Sequence, residues 1–440
     1  MNRVPALSQW PTMVAAGCGL LCALAVTAAA AIANPTTAQA PAGKHFEWTT
    51  KSPEAKKLLA ELQWKIESFQ FGPSNVDLAK KLVAADPSFA IGQYYLSAVL
   101  TDPVEAEKQY EKSRELAKSA SEGERRFIEA MAPVRLNQGV DFAKAIPSLE
   151  ALAEDYPGER LIYVILGQLQ NGDGRGDRAL VAFQKARALG PSPRVNAFIA
   201  NDDLLKGEYG KARASLESVE KSLPKGSVPF AVRFGITFSH LYEGNTDAAL
   251  RSLETYLAEY KASGLDQTFP EVFVWNAMAR INLEAGRLEE ALKDYEKGYQ
   301  SVPGSKIPED QKQTWLGRLH HGKARTLARM GKHQEAWAEV ETVRKMIVEG
   351  GEAGRQYWPA YHYVAGYAKL EAGDYPAALE HLLQADPKNP FDVLLLARAY
   401  EKVGRKDEAR KAYQKVLDSQ WAGIERPLAF PEAKKKVSAL

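Results

Sequence analysis

The chain has 440 residues, of which 45% are hydrophobic, and this is enough for a large core. Its 57 lysines and arginines nearly balance its 55 aspartates and glutamates. Nucleic-acid-binding surfaces usually carry a basic excess or stripe, so this balance argues against a nucleic-acid partner.

Residues 1–40 predict a secretory signal. Arg3 is the one charged residue of this segment, and an alanine-rich apolar stretch runs from residue 13 to residue 33. Residues 38–40 (Ala-Gln-Ala) form a candidate cleavage site, and residues 31–33 (Ala-Ile-Ala) form a second one. The apolar stretch is also just long enough to span a bilayer, so an uncleaved anchor is the alternative.

The cysteines of the chain indicate the same compartment. Both of them, Cys18 and Cys22, lie inside the predicted signal. The mature chain would therefore have no disulfide, no thiol nucleophile and no thiolate metal site. A cysteine-free mature protein suits an oxidising compartment. We expect a periplasmic or secreted protein that meets a membrane only through its N-terminal segment, if that segment is uncleaved.

Residues 41–120 predict degenerate helical pairs that cap the N-terminal end of a repeat array. A polar leader is followed by stretches with apolar residues at helical spacing. The expected helices cover residues 53–70, 76–85, 89–100 and 104–117. A further expected pair, residues 121–137 and 141–156, begins the array, which we place at residues 121–418.

One four-position pattern recurs seven times between Gly167 and Val416. A small residue is followed by glycine, then by alanine, then by a large apolar residue, at constant spacings. The copies are Gly167/Gly174/Ala179/Phe183, Ala200/Gly207/Ala212/Leu216, Thr237/Gly244/Ala249/Leu253, Ala279/Gly286/Ala291/Tyr295, Ala324/Gly331/Ala336/Val340, Gly366/Gly373/Ala378/Leu382 and Ala397/Gly404/Ala409/Tyr413.

Each copy predicts two antiparallel helices. Glycine tolerates a positive φ, which a tight turn between helices requires. The small residue and the alanine are expected where the helices come closest, because larger side chains would push the axes beyond ~8–10 Å. A single pair cannot bury both of its faces, so the pairs must stack.

This pattern resembles the tetratricopeptide repeat, whose unit has ~34 residues. The best copies are residues 163–191 and 393–417, and the usual first-helix tryptophan stands at Trp275. The resemblance implies an all-α, right-handed superhelical solenoid of about ten antiparallel helix pairs. It also implies an inner groove lined mainly by the first helix of each pair.

Three longer repeats carry insertions at residues 262–270, 301–310 and 349–359. Insertions in a solenoid lie on one face and often bind partners. The alternative is that these are solvated loops next to slightly longer helices. Residues 419–440 are expected to cap the open end of the array, with residues 421–431 irregular and residues 432–440 forming a short helix.

Motifs of catalysis are missing from the sequence. We find no nucleophile elbow, phosphate loop or zinc-ligand spacing. Gly172, Gly174 and Gly176 predict a turn between helices, and no histidine shows the pairing that a metallohydrolase helix requires. The sequence therefore predicts a protein that is not an enzyme and has no metal or cofactor.

The inner groove is the candidate binding surface. In the tetratricopeptide family, groove residues lie two, five, nine and twelve or thirteen positions into the first helix. Counting from the motif gives the candidate partner-binding residues Asn276, Arg280, Arg318, His321, Arg325, Arg329, Tyr363 and Tyr367. Arginine suits the bidentate capture of a carboxylate or phosphate.

Other interpretations of these residues are open. Arg280 can pair with Glu284 on its own helix. One repeat before the candidate residues, Phe234, Phe238 and Tyr242 form an aromatic stripe that would flank the groove, but Phe234 and Phe238 can also belong to the core. The family's Lys/Asn carboxylate clamp is absent, since Val164 and Ala197 occupy lysine positions.

The sequence favours a non-enzymatic scaffold of the cell envelope that binds a protein or peptide in its concave groove. The alternative is an accessory subunit of an envelope assembly or secretion complex that binds through its convex or insertion face. The groove can also be filled by the leader or by the C-terminal tail of the chain itself.

Overall fold

The computed structural model describes residues 43–68, 73–100, 102–135, 139–223, 227–262, 271–305, 307 and 309–439. The predicted signal of residues 1–40 lies outside the described residues, as does nearly all of the first insertion. The fold is all-α and tetratricopeptide-like, as predicted. Within the described ranges, no helix is both long enough and apolar enough to cross a membrane.

The chain divides into two compact units. Among the described residues, the N-terminal unit contains residues 43–235 with 259–262, and the C-terminal unit contains residues 236–258 with 271–439. The helices of the N-terminal unit are α1 (Pro53–Glu67), α2 (Pro73–Ala85), α3 (Ala90–Val99), α4 (Pro103–Ala117), α5 (Glu122–Ala130), α6 (Phe142–Asp155), α7 (Arg160–Gly172), α8 (Gly176–Leu189), α9 (Pro193–Leu205) and α10 (Tyr209–Ser222).

Two helices, α11 (Phe230–Tyr242) and α12 (Thr246–Ala262), contain the division points. The helices of the C-terminal unit are α13 (Val272–Glu284), α14 (Leu288–Gln300), α15 (Glu309–Arg329), α16 (His333–Glu349), α17 (Gly351–Gly354), α18 (Trp358–Glu371), α19 (Tyr375–Leu382), α20 (Pro390–Lys402), α21 (Lys406–Asp418) and α22 (Glu425–Val437). In the described part of the chain, α1–α16 form eight successive pairs, and α18/α19 and α20/α21 form two more.

The glycine of each repeat forms the turn within its pair. Gly174, Gly207, Gly244, Gly286, Gly331, Gly373 and Gly404 all have φ between 75° and 86°. The residue after each glycine donates its N–H to the carbonyl five positions earlier, as in Arg287 N to Asn282 O at 2.9 Å. This is a Schellman motif, which satisfies carbonyls at the end of the first helix. The predicted role of the glycines is confirmed.

Close helix packing explains the other repeat positions. The alanine that follows the glycine of each copy is at most 2% exposed, and the alanines at the small position, Ala200, Ala279, Ala324 and Ala397, are 0% exposed. A Cβ added to Gly167 would lie 2.6 Å from the ring of Phe183, and one added to Gly366 would lie 2.6 Å from the side chain of Leu382. The small residue and the large apolar residue of one copy therefore contact each other directly.

Residues 131–135, the described end of the predicted helix over residues 121–137, are not helical. Helix α5 ends at Ala130, and β1 (Val134–Arg135) pairs antiparallel with β2 (Gly139–Val140), with Val134 opposite Val140. Pro133 explains the difference, because the residue before a proline is pushed out of helical geometry.

The C-terminal tail also differs from its prediction. Residues 421–431 were expected to be irregular, but α22 begins at Glu425 and continues to Val437. Pro427 lies in the first turn, where a backbone N–H has no partner within the helix anyway. Pro431 lies inside the helix and removes one backbone hydrogen bond.

The leader packs into the N-terminal unit. The ring of Phe46 contacts those of Phe127 and Tyr156, with centroids 5.8 and 4.9 Å away. The buried carboxylate of Glu124 accepts the N–H groups of Thr49 and Ile91, both at 2.9 Å. The described part of the leader is thus a structural element of this unit.

We expect Gly286→Ala to destabilise the protein by about 1–2 kcal/mol, because the left-handed backbone conformation at this position has that free-energy cost for an L-residue. An added Cβ meets no atom within 4 Å, so the loss would come from the backbone alone. The check is the midpoint of urea unfolding.

The control for this substitution is Gly317→Ala, inside α15. There the added Cβ has only an ordinary contact, 3.9 Å from the terminal methyl of Met346. Removing glycine from a helix should stabilise the protein by about 0.5–1 kcal/mol. Equal effects of the two substitutions would contradict the role of φ.

Candidate functional site

Helix α22 packs on α20 and α21, and its polar side chains reach other first helices of the C-terminal unit. The beginning of α22 contacts Tyr242 of α11 and Arg280 of α13, and its end contacts Arg398 and Glu401 of α20. We call the surface of α11, α13, α15, α18 and α20 that surrounds these contacts the C-terminal groove. The tail of the chain therefore fills the groove, one of the arrangements that the sequence left open.

The first contact is an ion pair between Arg280 and Glu425. Arg280 Nη1 lies 3.0 Å from Glu425 Oε1, and the two side chains are 13% and 20% exposed. Trp421 Nε1 donates to the other carboxylate oxygen at 2.9 Å. Burial raises the pKa of Glu425, but Arg280 and the Trp421 hydrogen bond outweigh it, so the pKa lies below its usual value. The carboxylate stays charged opposite the arginine.

The second contact surrounds Arg426, which is 2% exposed. Its Nη1 donates to the hydroxyl of Tyr242 at 2.7 Å, and its Nη2 donates to the carbonyl of Leu417 at 3.3 Å. Its guanidinium also lies 5.0 Å from the ring centroid of Phe430, which meets the ring of Tyr242 edge-on at 5.4 Å. This contact fixes the first turns of α22 on α11.

The third contact lies two turns along α22. Arg398 binds Glu432 through two hydrogen bonds, with Nε to Oε1 at 2.8 Å and Nη2 to Oε2 at 2.5 Å. Lys436 Nζ donates to Glu401 Oε1 at 2.6 Å, one turn further on. Bidentate arginine–carboxylate pairs are strong and geometrically specific, so this contact sets the register of the helix.

Small residues separate the charged contacts of α22. Ala429 and Ala433 are both 0% exposed. Together with Glu425, Glu432 and Lys436 they occupy positions i, i+4, i+7, i+8 and i+11, which share one helix face. The alanines let the backbone of α22 approach the groove closely, so that the carboxylates reach their arginines.

Arg325 lies in the wall of the groove and is only 5% exposed. Its Nη1 donates to the hydroxyl of Tyr363 at 2.8 Å, and its Nη2 donates to the hydroxyl of Tyr295 at 2.9 Å. Arg280 Nη2 reaches the same Tyr363 hydroxyl at 3.5 Å. One phenolic oxygen therefore links the buried Arg325 to Arg280, which contacts α22.

His321 stands among these cations. Burial lowers its pKa to about 3, and the charges of Arg325, Arg318 and Arg280 add to this effect. The imidazole is therefore neutral at physiological pH. A positive charge on His321 would be repelled by the three guanidinium groups around it.

The structure thus brings five of the predicted residues together: Arg280, Arg318, His321, Arg325 and Tyr363. Arg318 is exposed and places its guanidinium 4.9 Å from the ring centroid of Trp315. Arg280 pairs with Glu425 rather than with Glu284, which the spacing within its helix suggested.

The other three predicted residues make contacts of their own. Asn276 donates to the carbonyl of Val272 in its own helix at 3.2 Å. Arg329 donates to the carbonyl of Leu283 and lies 3.8 Å from Glu284. Tyr367 is 0% exposed, so here it is a core residue and offers no surface to a partner. Phe234 is also buried, as the alternative for the aromatic residues proposed.

Sequence reasoning missed Arg398, Glu401 and the polar face of α22. Arg398 directly follows the small residue Ala397 of its repeat, as Arg280 follows Ala279 and Arg325 follows Ala324. The same counting therefore could have found it. The spacing of Glu425 and Glu432 was obscured by the two prolines near them.

Among the described residues, no group of three or more His, Cys, Asp or Glu side chains is placed to hold a metal ion. Two histidines are in contact, with His362 Nδ1 3.1 Å from His381 Nδ1.

Comparisons with known proteins identify the repeats. Family profiles described as tetratricopeptide repeat match residues 130–193, 239–306 and 369–420. No curated protein matches the sequence.

Solved structures give weak similarities over most of the chain. The APC/C hetero-tetramer Cut9–Hcn1 has 11% identity and a TM-score of 0.40, covering 81% of this chain and 76% of that chain. The human IFIT1 dimer with PPP-AAAA has 15% identity and a TM-score of 0.38, covering 82% and 71%. Similarities at this level say nothing about what this chain binds.

We expect the stability of the protein to fall as the pH drops from 6.5 towards 3, partly because of His321. Above pH 6.5 the folded and unfolded imidazoles are both neutral. Below pH 6.5 the imidazole takes up a proton in the unfolded chain but stays neutral in the folded chain. This difference lowers the free energy of unfolding by at most about 2 kcal/mol at pH 5. In His321→Gln this part of the loss should disappear, as measured by urea midpoints at pH 7 and pH 5.

The matched control is His333→Gln, which changes an exposed histidine at the start of α16. It should keep the pH dependence of the wild type. A parallel loss of stability in wild type and His321→Gln would show that His321 is not shielded as described.

Proposed function

From the tetratricopeptide repeats that this chain carries, we propose that it is a non-enzymatic scaffold of the cell envelope that binds a protein or peptide in the C-terminal groove. Tetratricopeptide repeats are interaction modules, so a binding role follows from the fold. The particular groove and the envelope location are our proposals.

The observation that carries this proposal is the way the groove holds α22. Arg280 and Arg398, at equivalent positions of two repeats, each bind a carboxylate of the same helix. Charge-assisted pairs of this kind determine orientation and register. A surface that positions one helix with such pairs has the chemistry needed to recognise a helix from a partner.

The groove's polar groups support binding rather than catalysis. Arg325 is held by two tyrosine hydroxyls and a backbone carbonyl, and Arg280 is held by Glu425. Burial, together with the charges of three arginines, lowers the pKa of His321 and keeps its imidazole neutral. A catalytic site needs a nucleophile or base near its proton donor or acceptor, with room for a substrate between them. Here the charged groups neutralise or position one another.

The envelope location rests on the sequence of residues 1–40 and on the absence of cysteine after Cys22. Fractionation with N-terminal sequencing of the mature chain tests it directly. A periplasmic or secreted chain beginning after residue 40 or residue 33 would support cleavage, and a membrane-bound chain that keeps residues 13–33 would indicate an anchor. A cytosolic chain with an intact N-terminus would contradict the proposal.

The second candidate is an accessory subunit that binds through the insertion face. Its support is Val348, which is 56% exposed immediately before the third insertion. In the structure that insertion contains α17 and a 3-10 turn at Arg355–Tyr357. A single exposed valine is ordinary on a protein surface, so this candidate ranks second.

A photo-crosslinking amino acid at Arg318 tests the binding face, because this residue is exposed beside the groove. We expect the native partner to crosslink from position 318 and not from Lys345, whose side chain is 74% exposed on α16. The measurement is mass spectrometry of adducts formed in an envelope extract. Crosslinking from Val348 alone would replace the groove by the insertion face.

A further inference from the structure

The polar contacts that hold α22 in the groove are charged pairs, and Leu428 and Val437 add partly buried apolar packing. Apart from Arg426 and Pro427, the buried side chains of α22 are the alanines Ala429 and Ala433. They remove little apolar area from water compared with leucine or phenylalanine. The charged pairs at Glu425 and Glu432 are partly solvent-accessible, so salt weakens them.

The helix itself is also poorly stabilised. Pro431 removes one backbone hydrogen bond in its middle, and no side chain caps its N-terminus at Ile424. A helix of this length is marginal in water without a surface to pack on. Helix α22 therefore depends on its packing against α20, α21 and the groove for its structure.

The groove, in turn, needs carboxylates. Among the ion pairs of the described residues, Glu425 is the one carboxylate on Arg280, and Glu432 is the one carboxylate on Arg398. Without α22, both guanidinium groups would have to be hydrated or paired again. Glu425 and Glu432 are seven residues apart, which is about 10.5 Å along a helix.

We propose that α22 is an internal ligand of the C-terminal groove and that the partner is a helix with the same recognition face. That face has two carboxylates seven residues apart, with small residues at the positions of Ala429 and Ala433. The partner helix displaces α22 and binds Arg280 and Arg398 in its place. This inference rests on the proposed function, since it specifies the partner of the same groove.

The test uses the full chain and a labelled synthetic peptide with the sequence of residues 419–440. The wild-type chain should bind it weakly, because its own α22 competes at an effective concentration in the mM range. The variant Glu425→Gln/Glu432→Gln, which changes α22 and leaves the groove intact, should bind the peptide roughly tenfold more tightly or better. Fluorescence anisotropy measures both affinities.

Variants of the peptide test the recognition face. Peptides with Glu425→Gln/Glu432→Gln or with Ala429→Leu/Ala433→Leu should lose binding to the opened chain. The peptide Lys435→Gln should bind normally, because Lys435 is exposed on α22. Equal binding of all four peptides would overturn the proposed recognition face.

Amide hydrogen exchange keeps the inference testable if the opened variant does not fold. In the wild-type chain, the amides of α22 should exchange faster than those of α20, on which α22 packs, because α22 leaves without global unfolding. Equal protection of the two helices would make α22 a permanent part of the array and overturn the inference.

The inference and the proposed function can fail separately. The peptide experiment needs no native partner. If the peptide does not bind an opened and folded chain, the proposed exchange of helices is rejected, and the proposed function is not affected. A native partner that crosslinks only away from the groove removes the proposed function, whatever the peptide does. A groove adduct that the wild-type peptide competes away supports both.

Discussion

The close approach of the two helices in each pair is the constraint on which the rest of the structure depends. A single added methyl group at Gly167 or Gly366 would overlap the partner side chain. The same repeat positions close each pair, so each repeat presents side chains at equivalent positions of its first helix. Arg280 and Arg398 occupy equivalent positions of their repeats, and they bind two carboxylates of one helix.

The arginines of the groove differ in burial: Arg325 is 5% exposed, and the side chain of Arg280, which contacts α22, is 13% exposed. Arg325 is held within the wall by tyrosines of two other helices. The hydroxyl of Tyr363 accepts hydrogen bonds from both Arg325 and Arg280, and so helps to position Arg280. A guanidinium remains charged at any physiological pH, so its burial requires that its donors find acceptors. The acceptors of Arg325 are neutral hydroxyl and carbonyl groups, so its positive charge is not compensated. This charge favours the binding of acidic groups at the nearby groove surface.

The sequence predicts the repeated architecture well because its signals are local. A glycine with positive φ, and an alanine that faces a small residue, are each decided within one pair of helices. The partner of Arg280 was beyond such reasoning, because Glu425 is 145 residues away while Glu284 stands one turn further on its own helix. Likewise, residues 421–431 were predicted to be irregular, because part of the surface on which α22 packs comes from residues far away in the sequence.

The ion pair between Arg280 and Glu425 has a consequence for how binding strength can change over evolution. A substitution at Arg280 weakens the internal helix and a similar external helix together, so their competition stays nearly balanced and the apparent affinity hardly moves. A substitution at Glu425 weakens the internal helix alone. Substitutions in the tail can therefore change the apparent affinity of this scaffold for its partner without changing which partner sequences are recognised.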